Sequence, residues 1–137
     1  MSSENIAEKA VYKPCAIIPV YNHSLVLRET VAGLIAHQLP VILVDDGSDQ
    51  HCKKVMASIA EEFPLAHLVC RPQNGGKGAA LKDGLSAALN QGFSHAIQVD
   101  ADGQHDISDL QHFMAISQQQ TKALVCGFPQ YDESVPR

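Results

Sequence analysis

The side chains most able to do chemistry in this sequence follow its fourth apolar run, where Asp100, Asp102, Gln104 and His105 crowd together. In an extended segment, side chains two residues apart point the same way, so Asp100, Asp102 and Gln104 can converge on one ion. All three offer oxygen, a donor set that suits Mg²⁺ or Mn²⁺ and leaves positions for phosphate oxygens and water. The plainer alternative is a loop in which Gly103 turns the chain and Asp106 caps the next helix. Their place at a strand end favours the metal. His105 stays open between a ligand, a phosphate contact and a packing residue.

Three other clusters sit after apolar runs in the same way. Asp45 and Asp46 are adjacent carboxylates that repel unless one accepts hydrogen bonds from a ligand or the backbone. One of them is a candidate to read a base or ribose; otherwise Gly47 bends the chain and Ser48 or Asp49 caps a helix. The segment from Asn74 to Ala80 sets three glycines and Lys77 at a helix start, where unpaired N–H groups and the helix dipole favour an anion. It lacks the Walker spacing, and no Gly-x-Gly-x-x-Gly follows the first run, which disfavours a dinucleotide-binding oxidoreductase. A glycine-eased turn with a solvated lysine is the structural alternative. Tyr21, in Pro19-Val20-Tyr21-Asn22, offers a ring that could stack on a base.

The elements that must position these residues follow from apolar periodicity. Cys15–Val20, Val41–Val44, Ala66–Cys70, His95–Val99 and Ala123–Cys126 are short and continuously apolar, as in parallel strands covered on both faces. Between them, Leu27, Val31, Leu34 and Ile35 keep helical spacing with Ser24 placed to cap, as do Val55, Met56, Ile59 and Phe63. Leu81, Leu85, Ala88 and Leu89 predict a third helix, and Leu110, Phe113 and Met114 a fourth, with Ser108 and Gln111 spaced as a capping box. The alternation predicts an α/β fold with a doubly wound, mainly parallel, Rossmann-like sheet. Ligands of such sheets bind beyond the carboxyl ends of the strands, where the four clusters lie.

The chain of 137 residues has room for one domain, expected over 14–127, with a flexible segment at 1–13 and an irregular tail at 128–137. Ten scattered Lys and Arg and a net charge of -5 argue against a nucleic-acid partner. An acidic protein that binds an anionic ligand needs a metal between them. No apolar run spans a bilayer, and the polar start offers no signal peptide, so the sequence reads as cytoplasmic. Cys15, Cys52, Cys70 and Cys126 fit neither a zinc pattern nor a disulfide framework and read as reduced core residues.

Together Ile17-Ile18-Pro19-Val20-Tyr21-Asn22, Val44-Asp45-Asp46-Gly47-Ser48, Asn74-Gly75-Gly76-Lys77-Gly78-Ala79-Ala80 with Gly84, and Asp100-Ala101-Asp102-Gly103-Gln104-His105 resemble the inverting family 2 glycosyltransferases of GT-A fold. The likeness is strongest to the polyprenyl-phosphate sugar transferase branch. The resemblance implies that Pro19, Tyr21 and Asn22 border the nucleotide and that Asp45 contacts the base. Asp100 would meet ribose or metal, Asp102 and Gln104 would ligate Mg²⁺ or Mn²⁺, and Lys77 would shape the rim of the donor site. The implied donor is a UDP- or GDP-sugar, and the implied acceptor a polyprenyl phosphate or another lipid or glycan.

Members of that family run on to an acceptor-binding region that supplies a base. The chain is therefore expected to be truncated after the metal motif, with its catalytic base beyond Arg137 and none of its own, and inactive alone. Asp132 and Glu133, in the tail before Arg137, have no motif around them to nominate either as that base. A location at the inner face of a membrane would then come through the missing region or a partner. The alternative is a non-catalytic nucleotide-sugar-binding or scaffold module. An uncovered sheet edge or apolar face predicts self-association.

Overall fold

In the computed structural model, which describes residues 12–102, 107–119 and 126–127, five parallel strands form one sheet. They are β1 (Pro14–Val20), β2 (Val41–Asp46), β3 (Ala66–Arg71), β4 (His95–Gln98) and β5 (Cys126–Gly127), in the order β3-β2-β1-β4-β5. Helices α1 (Leu27–Ala36), α2 (Gln50–Glu62), α3 (Lys77–Asn90) and α4 (Ile107–Ser117) make the crossovers. The winding runs outward from β1 to β3, then returns through α3 to place β4 on the other side of β1. The gap between the carboxyl ends of β1 and β4 is thus the topological switch point, where doubly wound sheets bind ligands.

Strand alternation divides the core into two layers. Ala16, Ile18 and Val20 of β1 and Val41 and Leu43 of β2 pack against Leu27, Val31 and Leu34 of α1, Met56 and Ile59 of α2, and Leu110 and Phe113 of α4. Cys15, Ile17, Ile42 and Val44 face the other way, toward α3. The predicted face of α3 needs correcting. Its buried line is Ala80, Gly84 and Ala88; Leu81 and Leu85 are only partly buried, and Leu89 is 60% exposed. Small residues are required because α3 lies tight on the sheet: a Cβ on Gly84 would stand 2.5 Å from Ile17 Cγ2 and 3.1 Å from Val44 Cγ2.

Other expectations also shift. The first helix is capped at Val26 with no side-chain cap, so Ser24 does not serve there. Asp49 does cap α2, accepting from Cys52 N–H at 2.9 Å. Helix α4 begins at Ile107, which puts Ser108 inside its first turn and not at its cap. Strand β3 is a sheet edge and is only partly covered, Leu68 packing into one core layer and Val69 into the other, so Cys70 near its end is exposed, whereas Cys15 and Cys52 are buried. Burial pushes the Cys15 thiol up to about 12, leaving it protonated and inert. The side chain of Cys126 lies outside the described residues.

The end of the expected flexible leader is built into the fold. The Tyr12 ring packs on His95 with centroids 5.1 Å apart, and its hydroxyl meets Ser117 on α4. Lys13 N–H donates to Ser94 Oγ at 2.7 Å, and the Ser94 hydroxyl shares a hydrogen bond with His95 Nδ1, also 2.7 Å away. At the other end, the expected irregular tail from 128 to Arg137 lies outside the described residues. Among the described residues no helix is long and apolar enough to cross a membrane.

Candidate functional site

A cleft of about 420 Å³ opens at the switch point, lined by Pro19 in β1, Tyr21 and His23 after it, Asp46 at the end of β2, Asn74 and Gly76 before α3, Lys77 at its start, and Asp100 and Asp102 after β4. All four sequence clusters therefore reach one place. Tyr21 is 51% exposed and gives the cleft an aromatic wall. Lys77, the first residue of α3, extends its Nζ to Asp100 Oδ1 at 3.1 Å. Gln98 Nε2 approaches the same oxygen at 3.5 Å.

The two carboxylates at the end of β2 have different surroundings, and strand alternation is the reason. Asp46 follows the direction of Ile42 and Val44, toward α3, and lines the cleft. Asp45 follows Val41 and Leu43 toward α2. Its buried carboxylate accepts from Ser48 N–H at 2.8 Å and from Lys53 Nζ at 2.7 Å, and it does not line this cleft. The expected base contact of Asp45 thus has no geometric support, and the carboxylate that faces the cleft is its neighbour.

Burial acts most strongly on Asp45 and pushes its carboxyl up, but the hydrogen bonds from Lys53 and Ser48 together outweigh it, holding the group below the usual carboxylate range. A depressed folded-state value stabilises the fold fully above the unfolded carboxyl value of about 3.9, and that stabilisation is lost as pH falls through the folded value. Urea unfolding across a pH series is expected to show stability falling more steeply below about pH 4 in the wild type than in Asp45→Asn. Equal slopes would remove the ion pair from the account.

Asp46 is the hub of the site. Its Oδ1 accepts from Arg71 Nε at 2.8 Å and Gly75 N–H at 2.9 Å. Its Oδ2 accepts from Gly76 N–H at 2.9 Å and Asn74 Nδ2 at 3.0 Å. The anion expected on the glycine-rich loop is thus partly internal: two of its backbone donors already hold a buried carboxylate. What the loop offers a ligand is Lys77 and the first turn of α3, whose N–H groups have no partner within the helix.

Asn22 does not line the switch-point cleft. It adopts φ 59°, which asparagine tolerates, and its Oδ1 accepts from Asp49 N–H at 2.7 Å while its own N–H donates to Ser48 Oγ at 3.0 Å. It stitches the loop after β1 to the loop after β2, and borders a neighbouring cleft of about 520 Å³ that shares His23, Ala101 and Asp102 with the first. His23 and Arg71 carry weight that sequence reasoning does not assign them. Arg71 has no motif around it, but His23, a titratable residue directly after Tyr21-Asn22, is open to notice on type alone.

Asp100 and Asp102 both face the cleft, and their all-oxygen donors fit a hard divalent cation. Among the described residues no three His, Cys, Asp or Glu side chains gather as a closed metal cage. An ion at this place would rest on these two carboxylates and complete its shell from phosphate and water. Gln104 and His105 lie outside the described residues. So does Arg137, beyond which the acceptor base is expected, and the described fold does not bear on a base there.

A parallel doubly wound sheet with an aromatic, acidic and singly basic cleft at its switch point places the chain among the α/β domains that take their ligands at that point. Residues 15–137 match the model of glycosyl transferase family 2, and the chain belongs to that family. It is 30% identical over 118 residues to a UDP-N-acetylglucosamine–dolichyl-phosphate N-acetylglucosaminyltransferase of Methanococcus voltae, covering 77% of this chain and 46% of that protein. Identity to a polyprenol monophosphomannose synthase of Mycolicibacterium smegmatis is 32% over 109 residues, covering 72% and 38% of the two chains. A dolichyl-phosphate beta-glucosyltransferase of Trichomonas vaginalis is 32% identical over 124 residues, covering 79% and 37%. The chain spans less than half the length of each of these relatives.

Proposed function

We propose that this domain seats a nucleoside-diphosphate sugar, with Mg²⁺ or Mn²⁺, for transfer of the sugar to a polyprenyl phosphate. The observation that carries the proposal is the convergence of Tyr21, Asp46, Lys77, Asp100 and Asp102 on one switch-point cleft. Tyr21 offers a stacking surface for the base. Asp46, fixed by four donors, takes the base-facing position expected of Asp45. Lys77 is 59% exposed and able to turn from Asp100 to a donor phosphate. Asp100 and Asp102 would hold the cation, which would neutralise charge on the diphosphate as it departs.

In the reaction an acceptor oxygen bonds to the anomeric carbon, and the bond from that carbon to the diphosphate breaks, its electron pair leaving with the nucleoside diphosphate. The relatives named for dolichyl-phosphate motivate a phosphate acceptor. A phosphate monoester has its second pKa near 6 and so is already largely anionic at neutral pH. Such a nucleophile needs no base to deprotonate it, which removes the requirement for one, whether within these residues or beyond Arg137.

Substituting Asp102 tests the metal's place. With Asp102→Ala, affinity for UDP or GDP in Mn²⁺ is expected to fall about tenfold, to the value measured in EDTA. Titration calorimetry reads both numbers. Mn²⁺ dependence that survives the substitution undiminished would exclude Asp102 as a ligand.

A further inference from the structure

We infer that Arg71 is a positioning residue of the donor site, acting through Asp46 and the Asn74–Gly76 loop on Lys77. The inference rests on the donor reading above, and extends it to a residue outside the cleft lining.

Arg71 ends the edge strand β3, and its side chain is only 19% exposed. Its Nε donates to Asp46 Oδ1, while Nη1 pairs with Asp83 and reaches Ala79 O at 3.5 Å. One planar guanidinium therefore grips the end of β2 and the first two turns of α3. A lysine, with a single ammonium, cannot reproduce this fork. The loop also runs directly over the guanidinium: a Cβ on Gly75 would collide with Arg71 Nη2.

The consequence is a chain of polar contacts, joined at one step by the peptide bond between Gly76 and Lys77. It runs from Asp83 through Arg71 to Asp46, then through the Gly75 and Gly76 amides to Lys77 and Asp100. Asp46 has a second support in Asn74, but Arg71 is its charged partner and links it to α3. Without Arg71, the Asp46 carboxylate would lose that partner, and the loop would lose both its floor and its tie to the helix that carries Lys77. The guanidinium is itself held charged, its pKa raised by the hydrogen bond to Asp83 and then by that to Asp46.

The test has one arm without ligand and one with it. Amide hydrogen exchange on Arg71→Met, with no ligand, is expected to show about tenfold lower protection at Gly75 and Gly76, whose amides Asp46 accepts, and unchanged protection in β1 and β2. Unchanged loop protection, or an equal fall throughout the sheet, overturns the inference. In the second arm, UDP and GDP are titrated with Mn²⁺ into Arg71→Met, Lys77→Met and the double variant. Each single change is expected to weaken binding about tenfold, and the double variant to be little weaker than either. Losses that multiply mean that Arg71 does not work through Lys77, and overturn it. If Arg71→Met does not fold, Asp83→Asn cuts only the outer end of the chain and is expected to give the same pattern at smaller amplitude. Failure of the wild type to bind any nucleotide counts against the donor reading, while the exchange arm still decides the role of Arg71.

Discussion

Replacing Asp46 by alanine is expected to cost roughly 2–4 kcal/mol of stability, lower the melting midpoint by about 10 °C, and remove nucleotide binding at any reachable concentration. The Asp46 side chain is 4% exposed and answers four donors at 2.8–3.0 Å. Deleting it leaves the Gly75 and Gly76 amides and the Asn74 amide group without their carboxylate acceptor and unties the loop from the end of β2. Asp46→Asn is nearly isosteric and is expected to fail almost as badly. Whichever way its amide lies, an NH₂ group then faces N–H donors, because both carboxylate oxygens are in use. Thermal melting and titration on the two variants check this, and an Asp46→Asn protein with wild-type stability would contradict it.

An alanine at Gly47 is expected to be at least as damaging. Gly47 has φ +78°, and its Cβ would stand 2.5 Å from Asn74 N and 2.7 Å from the carbonyl carbon of Gln73, both backbone atoms of another loop. The new methyl must push that loop away, which breaks the bonds that Asp46 makes to it. Gly76 supplies the control. It has φ +96°, but a Cβ there would meet nothing within 4 Å, so Gly76→Ala carries only the conformational strain, of order 1–3 kcal/mol. Urea unfolding should therefore rank Gly47→Ala well below Gly76→Ala. The opposite order would mean that the two loops do not approach as described.

These two residues also show how much is legible in the sequence. The strands, their order along the chain and the clustering of the candidate site residues at their carboxyl ends follow from apolar runs and their spacing. The choice between Asp45 and Asp46 follows from alternation too, once one knows that, among the described helices, α3 is the one that covers its face of the sheet. That knowledge is tertiary: Ala80, Gly84 and Ala88 look like a weak helical face beside Leu81, Leu85 and Leu89, and only the close approach to Ile17 and Val44 makes the small residues the buried ones. Cys70 reads as core because an apolar run does not reveal that its strand is an edge. Arg71 is invisible for a different reason: its partners lie on β2 and α3, and nothing nearby in sequence marks it. Asn22 looks like a ligand contact and is a stitch between loops, a role that asparagine shares with binding and that types alone do not separate.

The expected metal set of Asp100, Asp102 and Gln104 divides in the same way. Spacing predicts Asp100 and Asp102 on one side of an extended segment; the chain turns at Ala101 and Asp102 instead, and both carboxylates line the cleft together with Ala101. Spacing does not show that Lys77 reaches Asp100 from α3; under the proposed function the lysine would compete with the cation for that carboxylate until a donor phosphate took it.

The donor role of the switch-point cleft is the central claim, and calorimetric titration of UDP and GDP into the wild-type chain, in Mn²⁺ and in EDTA, tests it most directly. The account predicts saturable binding of at least one of them, tightened about tenfold by Mn²⁺ and displaced by the matching nucleotide sugar. Absence of binding by both nucleotides, or binding that Mn²⁺ leaves unchanged, would contradict it.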